Sequence, residues 1–244
     1  MRNYIFPIFV AVAVGVGLAW LITTGITLAY RSLTGTLAMS YQSPLAKTQT
    51  SQAVPVAVIP PISARAYFLA DLKTGQTIIS REAERSYPMA SITKLMTALI
   101  ALEIMKPTSL VRINSVALAA GGDTGGLVLG ETLTVADLLY PLLLESSNDA
   151  AEALARTYGR ERFIFLMNEK AKALGLRKTL FADPSGIAEE NRSTAHDLFR
   201  LADYLYHRQP SLLALTQISQ KRLARHLWLN TNHLVGAAGY LGGK

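Results

Sequence analysis

Residues 91–105 read SITKLMTALIALEIM, with Pro88 just before and Pro107 just after. The run predicts a long apolar helix. Ser91 is placed to cap its N-terminus, and Pro107 stops it. Within it, Ser91 and Lys94 stand three residues apart. That spacing puts both side chains on one helix face, with Cβ atoms about 5–6 Å apart. Leu95, Met96, Leu99 and Ile100 make the surroundings apolar. Burial disfavours the charged form of a lysine, so the pKa of Lys94 is expected to fall. A neutral amine beside a seryl hydroxyl can take its proton, which is the arrangement of an activated nucleophile. A helix N-terminus also carries partial positive charge that favours a developing oxyanion. The plain alternative is a capping serine followed by an incidental surface lysine. Ser-x-x-Lys spacing alone leaves both open, although Ser91 and Lys94 are its single instance here.

Working outward, AYFLADL and QTIISREA flank Lys73-Thr74-Gly75 and read as a hairpin with glycine at its turn. On the other side come VRINSVALAA and the glycine-rich GGDTGGLVLGE, read as a flexible loop. Thr134 and Asp137 form a capping-box-like start for ADLLYPLLLE. NDAAEALARTY is a further helix. RERFIFLMNEKAKALGL is another, closed at Gly175. ADPSGI (182–187) reads as a turn, and STAHDLFRLADYLYHR as a helix running to Pro210. The count is one hairpin and about five helices. A lone hairpin is marginal in water and needs more sheet or a helix packed on it.

Two other stretches carry chemistry. Ser146-Ser147-Asn148 lies between two helical runs, where a loop can aim a hydroxyl and a carboxamide into a cleft. Ser146 is a candidate to relay a proton between Lys94 and a leaving amine. Asn148 offers a donor and an acceptor to a substrate amide. Ser147 or Asn148 also suits the N-cap of the following helix. The third is Lys244, which follows a glycine-rich turn at the end of GYLGGK. In β-lactamases and penicillin-binding proteins a Ser-x-x-Lys, a Ser-Asp-Asn and a Lys-Thr-Gly element occur together. Lys73-Thr74-Gly75 spells the last of these too, but it precedes Ser91 and reads as a turn.

Composition narrows the field. The 244 residues include no cysteine, which excludes disulfides, Cys-based zinc sites and Cys nucleophiles. The net charge of +7 is read as solubility charge, since no Lys/Arg tract interleaves with aromatics; Lys221 to His226, KRLARH, is the densest cluster. No nucleic-acid partner is expected. The histidines at 196, 207, 226 and 233 show no metal-ligand spacing, so no metal is expected. His196 reads as a surface or packing residue. Neither a Gly-x-Ser-x-Gly elbow nor a phosphate-binding glycine loop is present.

Phe6 to Tyr30 holds no charged residue. A bilayer crossing needs about 20 apolar residues, so residues 1–30 read as a membrane anchor. A cleaved signal peptide is the alternative, with TLAMS supplying small residues for cleavage. Residues 31–62, rich in Ser, Thr, Gln and Pro, read as a flexible tether. As a coil it would span about 30 Å root-mean-square. Residues 63–244 form the globular part.

From about Ala66 to Lys244 the chain resembles the serine D-alanyl-D-alanine carboxypeptidases, the low-molecular-mass penicillin-binding proteins. YPMASITKLMTALIALE, LTVADLLYPLLLESSNDAAEALA, FLMNEKAKALGL, TLFADPSGI, STAHDLFRLADYL and LNTNHLVG follow that family's order and spacing. The resemblance implies an α/β, β-lactamase/transpeptidase-like fold, a helical cluster packed on an antiparallel sheet. It implies Ser91 as acylated nucleophile, Lys94 as general base, Ser146 and Asn148 as the second motif, and Lys244 as the carboxylate-binding lysine of the third. Ser147 departs from the glycine usual there. The expected partners are the peptidoglycan stem peptide and β-lactam antibiotics, with no cofactor. The expected reaction is D,D-carboxypeptidase cleavage outside the cytoplasmic membrane. The alternatives on the same scaffold are a D,D-endopeptidase or a β-lactamase, and a different reading is a catalytically dead wall-binding fragment. The chain stops at the first residue of the third motif, so the natural coding sequence is expected to continue with Thr-Gly or Ser-Gly and further strands.

Overall fold

A computed structural model describes residues 62–244. The expected anchor at 1–30, and all but the last residue of the expected tether at 31–62, lie outside the described residues. None of the described helices is long and apolar enough to cross a membrane.

The apolar run opens as a 3₁₀ turn, Ala90–Ile92, and continues as α1, Thr93–Ile104. Every residue from Thr93 to Ala101 is buried. A helix that is apolar on all faces belongs inside a cluster of others. It packs against α3 (Val135–Leu144), α4 (Asn148–Tyr158) and α5 (Arg160–Ala173). The short α2 (Ser115–Leu118), together with α6 (Ala195–Arg208) and α7 (Pro210–Thr216), completes the helical set. Met96, Leu99, Leu138, Leu142, Leu154, Phe163 and Met167 form the centre of one shared core.

The expected caps form. Thr134 Oγ1 accepts the Asp137 N–H at 3.1 Å and the Asp137 carboxylate accepts the Thr134 N–H at 3.3 Å. At Gly175, φ +70°, the Leu176 N–H reaches the Ala171 carbonyl and the Gly175 N–H the Lys172 carbonyl. These two bonds define a Schellman closure of α5.

Strands are more numerous than the single hairpin expected. The described residues contain four two-stranded antiparallel ladders. The expected hairpin pairs β1 (Tyr67–Ala70) with β2 (Thr77–Arg81). β3 (Tyr87–Pro88) pairs with β6 (Arg192–Ser193), and β4 (Leu110–Arg112) with β5 (Thr132–Thr134). β7 (Gln220–Leu223) and β8 (His226–Leu229) form a second hairpin through the basic cluster. β8 is strictly alternating, with His226 and Trp228 buried and Leu227 and Leu229 exposed. That period of two marks a half-buried strand. The pairing disperses the cluster's charges: Lys221 lies 4.6 Å from the Tyr140 ring centre and Arg225 pairs with Glu131 at 3.3 Å.

Candidate active site

The β3–β6 pairing delivers the chain to Ala90, whose φ of +47° is left-handed. Non-glycine residues seldom hold this conformation, and they cluster at functional sites when they do. Ser91 follows, half-buried, inside the 3₁₀ turn. It does not cap α1 as expected: the N-cap position is Ile92, with no side-chain capping bond. The seryl hydroxyl therefore remains available, and Lys94 Nζ donates to its Oγ at 3.1 Å. Lys94 is 0% exposed. Burial, and then the positive charge of Lys244, push its pKa down to about 8, against the opposing carboxylates of Asp123 and Asp183. The expected pairing and the expected depression are both present.

Lys94 has a second partner that the sequence did not disclose. Its Nζ donates to the Ser185 carbonyl at 2.6 Å. Next to it, Thr97 Oγ1 donates to the Pro184 carbonyl at 2.5 Å. The segment holding Asp183 to Gly186, expected as a structural turn that in the resembled family lies near the cleft, clasps α1 one turn beyond Ser91. The Asp183 carboxylate organises it, accepting the N–H groups of Ser185 (2.7 Å), Gly186 (2.5 Å) and Ala188 (2.6 Å) and the Ser185 hydroxyl (3.0 Å). Burial opposes ionisation of Asp183, but these N–H groups prevail and hold its carboxyl below the usual range. Gly186 has φ +89°, and a Cβ there would overlap the Ala90 carbonyl. No other residue lets the loop approach the backbone before Ser91 this closely.

Ser146 also has a left-handed φ, +64°. Its Oγ is buried and has no hydrogen-bond partner among the described residues, so it is not bonded to Lys94 in this state. Ser147 serves as the expected N-cap of α4, accepting the Ala150 N–H at 3.0 Å and donating to the Asp149 carboxylate. Asn148 is oriented within the protein: its Nδ2 donates to the Gly121 carbonyl and its N–H to the Asp123 carbonyl, each at 2.8 Å. The donor expected to face a substrate is thus engaged.

The glycine-rich segment is pinned and not loose, contrary to expectation. Gly125 N–H donates to Asp149, its carbonyl accepts Trp228 Nε1 at 2.8 Å, and a Cβ on it would crowd Pro141 and Ser147. The placement leaves Asp123 acting electrostatically on Lys94 and Lys244 alike. Lys244 Nζ donates to the Leu143 carbonyl at 2.9 Å, three residues before Ser146. Burial pushes it down to about 8 as well, with Asp123 opposing. Lys244 and Asp123 thus act on Lys94, and Asp123 on Lys244, while the backbone of the glycine segment ties in Asn148.

Lys73-Thr74-Gly75 is a surface turn, as expected: the exposed Asp71 carboxylate accepts the N–H groups of Lys73 and Thr74, and Gly75 has φ +71°. His196 pairs with Glu84 at 2.5 Å and stacks on Phe68, which is a packing role.

A left-handed entry to a half-buried serine, a buried lysine on it and a second serine with left-handed backbone are the features this site assembles. Solved structures share its frame. The chain superposes on a Mycobacterium tuberculosis D-alanyl-D-alanine carboxypeptidase with TM-score 0.71 and 29% identity, over 78% of this chain and 75% of that one. A Streptomyces DD-transpeptidase matches with TM-score 0.70 and 28% identity, over 75% and 79%. In sequence, a Pseudomonas aeruginosa D-alanyl-D-alanine endopeptidase is 35% identical over 177 residues, 68% of this chain and 56% of the relative. The Bacillus subtilis D-alanyl-D-alanine carboxypeptidase DacF is 32% identical over 185 residues, 70% and 47%. The chain thus spans about half the length of these curated relatives. The D-alanyl-D-alanine carboxypeptidase family profile matches residues 48–243, and the chain belongs to that family.

Proposed function

We propose that this chain is the acylating part of a serine D,D-peptidase that acts on the D-Ala-D-Ala end of peptidoglycan stem peptides. One observation carries the reading: a fully buried Lys94 amine, pushed down to about 8, stands 3.1 Å from Ser91 Oγ. At neutral pH a minority of such amines is uncharged, and an uncharged amine accepts the seryl proton. Ser91 Oγ bonds to the penultimate carbonyl carbon as its proton moves to Lys94 Nζ. The carbonyl C–N bond then breaks, and the proton passes to the departing D-Ala nitrogen. We assign the relay for that transfer to Ser146, supported by its buried hydroxyl, which has no hydrogen-bond partner among the described residues. Water then hydrolyses the acyl-enzyme. Lys244 receives the substrate carboxylate, and Asn148 offers its carboxamide oxygen to the substrate amide. Penicillins enter the same path and remain on Ser91.

Within this reading, release of a terminal D-Ala is the first assignment. The endopeptidase name of the Pseudomonas aeruginosa relative favours cleavage of a cross-link as the second. The uncharged run Phe6 to Tyr30 supports an anchored, extracytoplasmic location. Fluorescent penicillin tests the chemistry: Ser91-dependent labelling is expected, and a folded but unlabelled protein overturns it. Digests of a pentapeptide and of a cross-linked muropeptide separate the two assignments. Membrane fractionation tests the location, with a soluble extracellular product counting against the anchor.

A further inference from the structure

We propose that Asp183 is a positioning residue for the base: by fixing the Ser185 carbonyl on Lys94 Nζ, it turns the amine's lone pair toward Ser91. The proposal rests on the acylation chemistry assigned above and deepens it.

The argument is geometric. A neutral amine has two N–H donors and one lone pair in tetrahedral array. The Ser185 carbonyl sits 2.6 Å from Nζ and accepts one of those N–H groups. Ser91 Oγ, at 3.1 Å, lies in a different direction from a different segment of chain. With one N–H held, the lone pair is confined to the two remaining staggered positions, and it takes the one facing Ser91 when the uncharged amine accepts from the seryl hydroxyl instead of donating to it. Without the carbonyl, the amine would rotate among three equivalent wells, and only one of them presents the lone pair to Ser91.

A carbonyl can do this only if its loop is rigid. Four bonds from one side chain supply the rigidity. Asp183 Oδ1 accepts the Ser185 N–H, the Ser185 hydroxyl and the Gly186 N–H, and Oδ2 accepts the Ala188 N–H. Thr97 locks the adjacent Pro184 carbonyl to α1, and Gly186 lets the loop close on Ala90. Asp183 is 6% exposed and Ser185 2%. Asp183 touches neither Ser91 nor Lys94, so its influence on the reaction is through the carbonyl and through its charge.

The charge gives a signature that a scaffolding role lacks. The groups acting on Lys94 are the Ser91 hydroxyl from the 3₁₀ turn, the Ser185 carbonyl and Asp183 from this loop, Asp123 from the glycine segment, and Lys244 from the C-terminal segment. Asp183 favours protonated Lys94. Removing its charge, or releasing the carbonyl, makes Lys94 easier to deprotonate. The rising limb of acylation against pH then moves to lower pH while the maximal rate falls.

The test uses the full chain, with second-order acylation by a fluorescent penicillin followed from pH 6 to about 10, so that both Lys94 forms are sampled. In D183A, about a hundredfold lower maximal rate is expected, the lower end for a misplaced general base. D183N keeps the three Oδ1 bonds and loses the Ala188 bond and the charge, so a loss of about tenfold is expected. Both variants should show the rising limb displaced to lower pH. D183N, being isosteric, keeps the test valid if D183A does not fold. A D183N protein with wild-type rate and midpoint overturns the proposal, as does a rate loss with an unmoved midpoint and a lowered Tm. Absence of Ser91-dependent labelling in the wild type overturns the chemistry assigned above, and this proposal with it.

Discussion

Two loops act on Lys94, one through a carbonyl and one through the charge of Asp123, and each is tied down by one buried carboxylate. In the first, Asp183 gathers the N–H groups of Ser185, Gly186 and Ala188. In the second, Asp149 holds the Gly125 N–H, the Ala150 N–H and the Ser147 hydroxyl. The device is the same, and what it delivers is different. Asp183 presents a backbone carbonyl to an amine. Asp149 presents a bare backbone, the glycine segment, to the start of α4. The first loop acts on the buried amine of Lys94. The second settles the position of Asn148, through the Gly121 and Asp123 carbonyls. A buried carboxylate that gathers N–H groups is thus a device for aiming backbone, and its importance depends on what the backbone is aimed at.

The largest effect should come from deleting the group at which the first loop aims. Lys94→Met is expected to lower penicillin acylation by about 10³-fold or more, since the general base and its electrostatics go together. Its stability should not fall with it. Folding keeps Lys94 out of water against its preference for charge, and an apolar isostere removes that cost but leaves the buried Ser185 carbonyl without its donor. The two effects oppose, and the expected Tm stays within about 2–4 °C of wild type, read by calorimetry. A large drop in Tm would show that the amine is a structural strut first.

Next come the glycines, which separate the two loops. Gly186→Ala pushes a methyl into the Ala90 carbonyl at φ +89°. A destabilisation of about 3 kcal/mol with loss of labelling is expected, from strain and overpacking combined. Gly126→Ala is the control in the second loop, because φ is +63° but nothing lies within 4 Å of the added carbon. It should cost only about 1 kcal/mol in urea unfolding, the left-handed term alone. Equal costs would mean that close approach is not what requires Gly186.

Smaller still is Thr97→Val, which leaves the Pro184 carbonyl unpaired in the core. About 1–2 kcal/mol of stability should go, with the acylation rate at most a few-fold lower. The wild-type pH profile carries its own sign. Acylation needs the uncharged amine, and Lys94 is pushed down to about 8. The rate should therefore climb as pH rises through about 8 and not fall. The least effect belongs to Lys73→Ala, in the exposed turn at Asp71, where penicillin labelling should be unchanged.

Much of this site was legible in the sequence because it is written in side chains. Ser91 and Lys94 stand one helical turn apart, and the helix around them has no polar face to compete. The Thr134–Asp137 cap and the Gly175 closure follow from local chemistry that needs no tertiary context. Ser185 was not legible, since its contribution is a carbonyl that every residue possesses. Asp-Pro-Ser-Gly announces a turn, but nothing in it states that α1 is the recipient. The β3–β6 and β4–β5 ladders are two and three residues long, too short for a period of two to show. The β7–β8 hairpin differs: His226, Leu227, Trp228 and Leu229 alternate, but over four residues only, and Lys221 to Arg225 ahead of them is dominated by charge. Ser91 was expected to cap α1, and the left-handed turn at Ala90 moved it one step outside that role.

The Trp228 bond to the Gly125 carbonyl has a practical consequence. The sequence has two tryptophans, and the other, Trp20, lies outside the described residues. Replacing Trp20 by Phe leaves one indole, 1% exposed and fastened to the segment beside Asn148. Its intrinsic emission then becomes a dye-free optical gauge of whether that segment shifts when a penicillin is added, readable in a stopped-flow trace.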